Sequence, residues 1–189
     1  MGTLACALEQ WSPGLGDPDA MGWLTVAVYA FAAIIAARRA VKGVFCDETR
    51  GRERAFWWFS AALLACLAVN KQLDLQSLLT EAGRCVAYAQ GWYEDRRTVQ
   101  VWFIAGVTAG GVLGVGWLGF LLRHTLARTG LALAGLGFVC VFVAVRAAGF
   151  HHVDTLIGTA VAGLRMNWLL ELPGPILVAV AGLRGSLPS

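Results

Sequence analysis

Five apolar runs, separated by short charged connections, restrict what this chain can become more than any other feature. They lie at about 21–37, 55–70, 101–122, 131–150 and 168–183. A helix crossing the hydrocarbon core of a bilayer needs about 20 residues, within a range of roughly 17–25. Runs three and four meet that length unaided. Runs one, two and five must borrow flanking residues, and run five also carries Glu171, Pro173 and Pro175. A helix is the one open-ended element that satisfies its own backbone in lipid. The expected fold class is therefore all-α: an integral membrane helical bundle of four to five transmembrane helices in a single domain over 1–189. An additional amphipathic or extended helix is expected at about 70–90.

Composition agrees with a bilayer solvent. The chain is 58% hydrophobic and 14% charged, whereas soluble domains carry about 25% charge. Eight Trp and 23 Gly fit the same class, since Trp gathers at membrane interfaces and Gly is frequent in membrane helices. A net charge of +3 is too small to suggest a nucleic-acid partner. Residues 1–20 have no basic start and so do not read as a signal peptide.

Lysine and arginine set the orientation. Nine of them (Arg38, Arg39, Lys42, Arg50, Arg52, Arg54, Arg123, Arg128 and Arg184) fall on one side of the five-run topology. The other side has Lys71, Arg84, Arg96, Arg97 and Arg165, with Arg146 at a helix end. The positive-inside rule places the nine in the cytoplasm. The amino terminus is then outside and the carboxyl terminus inside. Of the five cysteines, Cys66 and Cys140 lie in apolar runs and read as buried apolar residues. Cys6 and Cys85 share the outer compartment, which allows a disulfide between them.

With this orientation every dense polar cluster falls on the outer face. The first is Asn70-Lys71-Gln72-Leu73-Asp74-Leu75-Gln76. From it, Asn70, Asp74, Ser77, Glu81, Arg84 and Tyr88 recur at helical spacing and form one stripe. Leu75, Leu79, Ala82, Val86 and Ala89 form an apolar stripe beside it, and Gly91 is the expected stop. The stripe reads equally as a solvated helix face or as one wall of a site. The second cluster is Trp92-Tyr93-Glu94-Asp95-Arg96-Arg97, followed by Gln100. Its aromatics suit the interface. Arg96 and Arg97 can hold a phosphate through their forked donors or pair locally with Glu94 and Asp95.

The third cluster, Arg146 to Asp154, packs an Arg, two His and an Asp into nine residues. On a continuing helix His151 and Asp154 share a face, while His152 lies about 100° away from His151. A His with a carboxylate suits a divalent metal such as zinc, or a general base oriented by an acid. Asp74 and Glu81 can complete either arrangement if run two packs beside run four. The candidate catalytic residues are thus His151, Asp154, Asp74 and Glu81. The candidate metal ligands are His151, Asp154 and Asp74. Candidate substrate contacts are Arg96, Arg97, Arg146, Asn70, Lys71 and Gln76. The competing reading is a polar network that stitches helix ends together. An intrachain bis-His haem is disfavoured, because His124 lies at the opposite face from His151 and His152.

Run three carries Gly106, Gly110, Gly111, Gly114, Gly116 and Gly119. Two small-xxx-small steps among them permit close helix approach, within the chain or between copies. The expected partners are the lipid bilayer and other membrane proteins or a second copy through this span. No phosphate-binding loop, nucleophile elbow or HExxH stretch occurs.

Two resemblances follow from these residues. Arg146-x4-His151-x2-Asp154-x3-Gly158 looks like the last motif of lipid phosphatases related to phosphatidic acid phosphatase, which implies phosphoryl transfer by an Arg, a His and an Asp. Its spacings are one residue shorter than in that family, and the Pro-Ser-Gly-His motif is absent. The phrases from Asn70 to Gln76, Trp92-Tyr93 with Arg96-Arg97-x-x-Gln100, and Phe150 to Asp154 are similar to a family of uncharacterised bacterial multi-pass membrane proteins. That likeness covers most of 57–172 and implies a bacterial membrane setting with no established activity.

Three functions remain open on these grounds. One is a metal- or His-dependent hydrolase or transferase acting on a lipid-like anionic substrate at the outer face. Another is a non-enzymatic subunit or assembly factor of a larger membrane complex. The third, a small transporter or channel lined by Asp74 and Glu81, has less behind it, because no apolar run carries a charge near its middle.

Overall fold

The computed structural model describes residues 3–11, 19–73, 75–148, 160–161, 164–165 and 170–184. For Gln76, Arg96, Arg97, Gln100 and Arg146 only the backbone is described. The helices are α1 (Thr3–Gln10), α2 (Ala20–Lys42), α3 (Arg50–Leu73), α4 (Leu75–Gln90), α5 (Arg96–Leu121), α6 (Leu126–Ala148) and α7 (Pro173–Arg184). A single 3-10 turn, Tyr93–Asp95, leads into α5. Between α6 and α7 lies a two-residue antiparallel hairpin pairing Ala160 with Arg165 and Val161 with Leu164. The class is all-α, as expected.

Three helices are long and apolar enough to cross a membrane: α2 over Ala20–Lys42, α5 over Val101–Leu121 and α6 over Leu126–Ala144. Run one reaches spanning length by recruiting the residues that flank it, and its 23 residues extend about 34 Å at 1.5 Å per residue. Helix α3 is just as long, but Arg50, Arg52, Glu53 and Arg54 occupy its first turns and Asn70, Lys71 and Gln72 its last. Run five gives the 12-residue α7, short of the spanning length. Pro173 and Pro175 sit in its first turn, where a missing N–H costs nothing. They therefore start this helix rather than kink it.

Helix α2 packs along α3, and α7 is held between α2 and α6. The core is built where they meet, from Ala32, Ala36, Trp57, Leu64, Leu136 and Val178. Alanines and glycines let the backbones come close. A Cβ added to Gly135 would stand 2.7 Å from the Gly174 carbonyl oxygen, and one on Gly182 would stand 2.6 Å from Ile35 Cγ2. The small residues that matter for packing are thus on α6 and α7.

Helix α5 behaves differently. None of its spanning window is buried, against 39% for α2 and 33% for α6. It touches α6, with Val115 and Leu118 packed on the core. A Cβ at Gly106, Gly110, Gly111, Gly114 or Gly116 would meet nothing within 4 Å, and only Gly119 approaches a neighbour, Leu133. The expectation that these glycines serve packing does not hold within the chain. The physical reason is that α5 sits at the edge of the bundle, with none of its spanning window buried against the other helices.

The expected helix over 70–90 forms as the end of α3 followed by α4. Gly91 stops it at φ 74. Its N–H bonds to Tyr88 O and the N–H of Trp92 bonds to Ala87 O. This is a Schellman cap, which needs a left-handed residue that glycine supplies without strain. A disulfide joins Cys6 of α1 to Cys85 of α4. Cys85 and Ala87 are the buried side chains among those described in α4, while Ala89 of the expected apolar stripe is exposed. Cys66, expected to be buried, is exposed and Cys140 is half-buried.

Candidate functional site

At the end of the bundle where α3 finishes and α7 begins, Lys71 Nζ lies 3.0 Å from Glu171 Oε2. The side chains are 14% and 6% exposed. Tyr29 of α2, itself buried, is within electrostatic reach of Glu171. The side-chain amide of Gln72 is buried beside this pair in sequence, with no hydrogen bond among the described residues. Two clusters far apart in the chain are therefore brought together: the stretch that begins at Asn70 and the segment that leads into α7. Lys71, a candidate substrate contact, is held by an acid that the sequence left without a partner.

Glu81 pairs with Arg84 one turn on, at 3.0 Å. That is the arrangement of a solvated helix face, and it engages one of the four candidate catalytic groups locally. Beyond it, the Tyr88 and Tyr93 rings stack with centroids 4.0 Å apart, and Trp92 Nε1 donates to Gln90 Oε1 at 2.7 Å. The aromatic residues expected at the interface thus brace the turn into α5. Asn70 is half-buried at the end of α3. Gln76 lies in the first turn of α4, Arg96 and Arg97 in that of α5, and Arg146 in the last turn of α6. His151, His152, Asp154 and Asp74 lie outside the described residues. Among the described residues no group of three His, Cys, Asp or Glu side chains could hold a metal ion.

A second polar cluster sits at the opposite end of the bundle and was not anticipated. Glu53 of α3 is fully buried. Its Oε1 accepts from Arg128 Nη2 of α6 at 2.8 Å and from the Thr49 hydroxyl at 2.8 Å. Its Oε2 is buried without a partner among the described residues. Arg39 of α2 is buried, lies within electrostatic reach of Glu53 and Arg128, and stacks on Phe45 at 5.0 Å. Arg54 Nε donates to Ala40 O in the last turn of α2 at 3.0 Å, where helix carbonyls lack intrahelical donors. The signal in the sequence was the placement of Glu53 among three arginines just before an apolar run. It read as orientation charge, because nothing in one strand of text shows that α6 delivers Arg128 to it.

The arrangement supports two electrostatic pins, one at each end of the bundle, and a disulfide that ties α1 to α4. No protein-family model, curated protein or solved structure matches this chain. The class defined by fold and site is accordingly a helical protein with three candidate membrane spans, suited to contact with a lipid bilayer.

Proposed function

We propose that this is a multi-pass protein of the bacterial inner membrane that handles a lipid-like anionic substrate at its outer face. In this reading α3 and α7 complete the bundle alongside the three long helices. The observation that carries it is the meeting of Lys71 with Glu171, which draws the Asn70–Gln76 cluster and the start of α7 to one end of the molecule. The Cys6–Cys85 disulfide supports calling that end the outer one, since such bonds persist in oxidising compartments. His151 and Asp154 would act as a base and its orienting acid, or with Asp74 as ligands of a divalent metal that activates water. Arg96, Arg97, Arg146 and Gln76 would receive the anion, with Glu81 nearby. The reaction class is hydrolysis or group transfer. Purified His151→Ala plus Asp154→Ala protein should fold and lose turnover of lipid-linked phosphate esters. Retention of turnover by the folded double variant would sink the reading.

A second reading, a subunit or assembly factor of a membrane complex, is favoured by α5. An exposed spanning helix with five glycines facing no neighbour suits a helix from another chain. Its discriminator is stoichiometric co-purification of a partner that Gly110→Leu abolishes while the protein stays folded.

A further inference from the structure

The gap between α3 and α5 at the basic end of the bundle forms an open groove of about 460 Å³. Its walls are Phe56 and Phe59 from α3 and Gly114, Trp117 and Leu118 from α5. Arg52 stands at its mouth. The volume falls within the range of small-molecule sites, about 300–1,000 Å³. Gly114 leaves the space open, for a Cβ there meets nothing within 4 Å. Long apolar walls with a single cation at the rim, and no acid among the lining residues, match an acyl chain joined to an anionic headgroup.

Arg52 is the cation among the lining residues, and neighbouring arginines are engaged elsewhere, Arg123 over the Phe120 ring with its Nε donating to His124 Nε2. Arg50 is paired with Asp47, Arg54 with the Ala40 carbonyl and Arg128 with Glu53. Arg52 makes one long contact among the described residues, Nη1 to Leu121 O at 3.5 Å. A guanidinium carries five donors in a planar fork that fits two phosphate oxygens at once. That leaves most of its donors without a partner among the described residues. This end carries the excess of arginines that the positive-inside rule assigns to the cytoplasm, where the leaflet is anionic.

We propose that the α3–α5 groove binds an anionic phospholipid of the cytoplasmic leaflet, with its phosphate on Arg52 and an acyl chain along Phe56, Phe59 and Trp117 across Gly114. The site is at the far end of the bundle from the outer polar residues. It shares with the proposed function only the orientation in the membrane, so either can fail without the other.

The test is lipid titration of the full-length purified protein by native mass spectrometry, with phosphatidylglycerol and phosphatidylcholine of the same chain length. Both lipids carry a phosphate, but in phosphatidylcholine the choline cation neutralises it, so wild type should favour phosphatidylglycerol by about fivefold, the worth of one arginine against an anionic lipid. Arg52→Gln should erase that preference, and Arg52→Lys should keep part of it. Gly114→Leu, which adds bulk to the groove at a position where a Cβ meets nothing within 4 Å, should weaken both lipids. Helix content and thermal midpoint confirm folding; should Arg52→Gln not fold, Arg52→Lys and Gly114→Leu decide. Equal binding of the two lipids by wild type, an unchanged preference in Arg52→Gln, or unchanged binding in Gly114→Leu overturns the proposal. So does displacement of the lipid by inorganic phosphate, which would make the free anion the ligand.

Discussion

Lys71 Nζ and Glu171 Oε2, 100 residues apart, stand 3.0 Å from each other and are both nearly withdrawn from solvent. The pair joins the last turn of α3 to the residues preceding α7. Removing one partner of a buried pair leaves an uncompensated charge and costs about 3–5 kcal/mol. Lys71→Ala should therefore lower stability by that order, and Lys71→Met with Glu171→Leu should restore most of it. Thermal unfolding of the purified variants in detergent reads this directly. A double variant no better than either single one would show that the pair holds something other than the helix ends.

Arg128→Ala should destabilise the opposite end by about 2–3 kcal/mol, somewhat less than a fully buried pair because the Arg128 side chain is 44% exposed. Glu53→Gln in the Arg128→Ala background should recover part of the loss, since a neutral amide is cheaper to bury than an unpaired carboxylate. Chemical denaturation of the two variants beside wild type measures both effects.

Cys6 and Cys85 close a loop with a sequence separation of 79, for which chain entropy gives about 4.5 kcal/mol. A bilayer already restrains the unfolded chain, so Cys6→Ser should cost less than this. In intact cells a membrane-impermeant thiol reagent added outside should reach Cys6 and Cys85 only after an impermeant reductant. Exposed Cys46 should react from the cytoplasmic side. Labelling of Cys46 from outside would reverse the orientation.

Gly135→Leu should be severely destabilising, because a Cβ there already meets the Gly174 carbonyl and Val178. Gly110→Ala should be neutral or stabilising by up to about 1 kcal/mol, since it adds helix propensity and touches nothing in the chain. Melting curves of the monomeric protein separate the two positions. A large loss from Gly110→Ala would mean that α5 packs in the chain after all.

Much of the architecture was legible in the amino-acid order. Long apolar runs mark α2, α5 and α6 because hydrocarbon demands them, and Gly91 marks the end of α4 because its left-handed turn suits a residue without a Cβ. Pro173 and Pro175, which read as a weakness in run five, are where α7 starts. Pairings between distant residues were not legible. Glu171 read only as a charge within run five and Glu53 drew no reading of its own, since their partners lie 100 and 75 residues away. The glycines of α5 looked like packing glycines because spacing reveals a smooth face but not what lies against it.

The sequence by itself determined that this chain folds as long apolar helices, three of them suited to a membrane, and which segments carry the basic excess. Burial and charge distribution are written along one dimension. Tertiary structure alone decided which acids became buried pins, which cysteines met, and which small-residue face was left open. Those outcomes depend on helices packing side by side, and that geometry is set by contacts no local stretch contains.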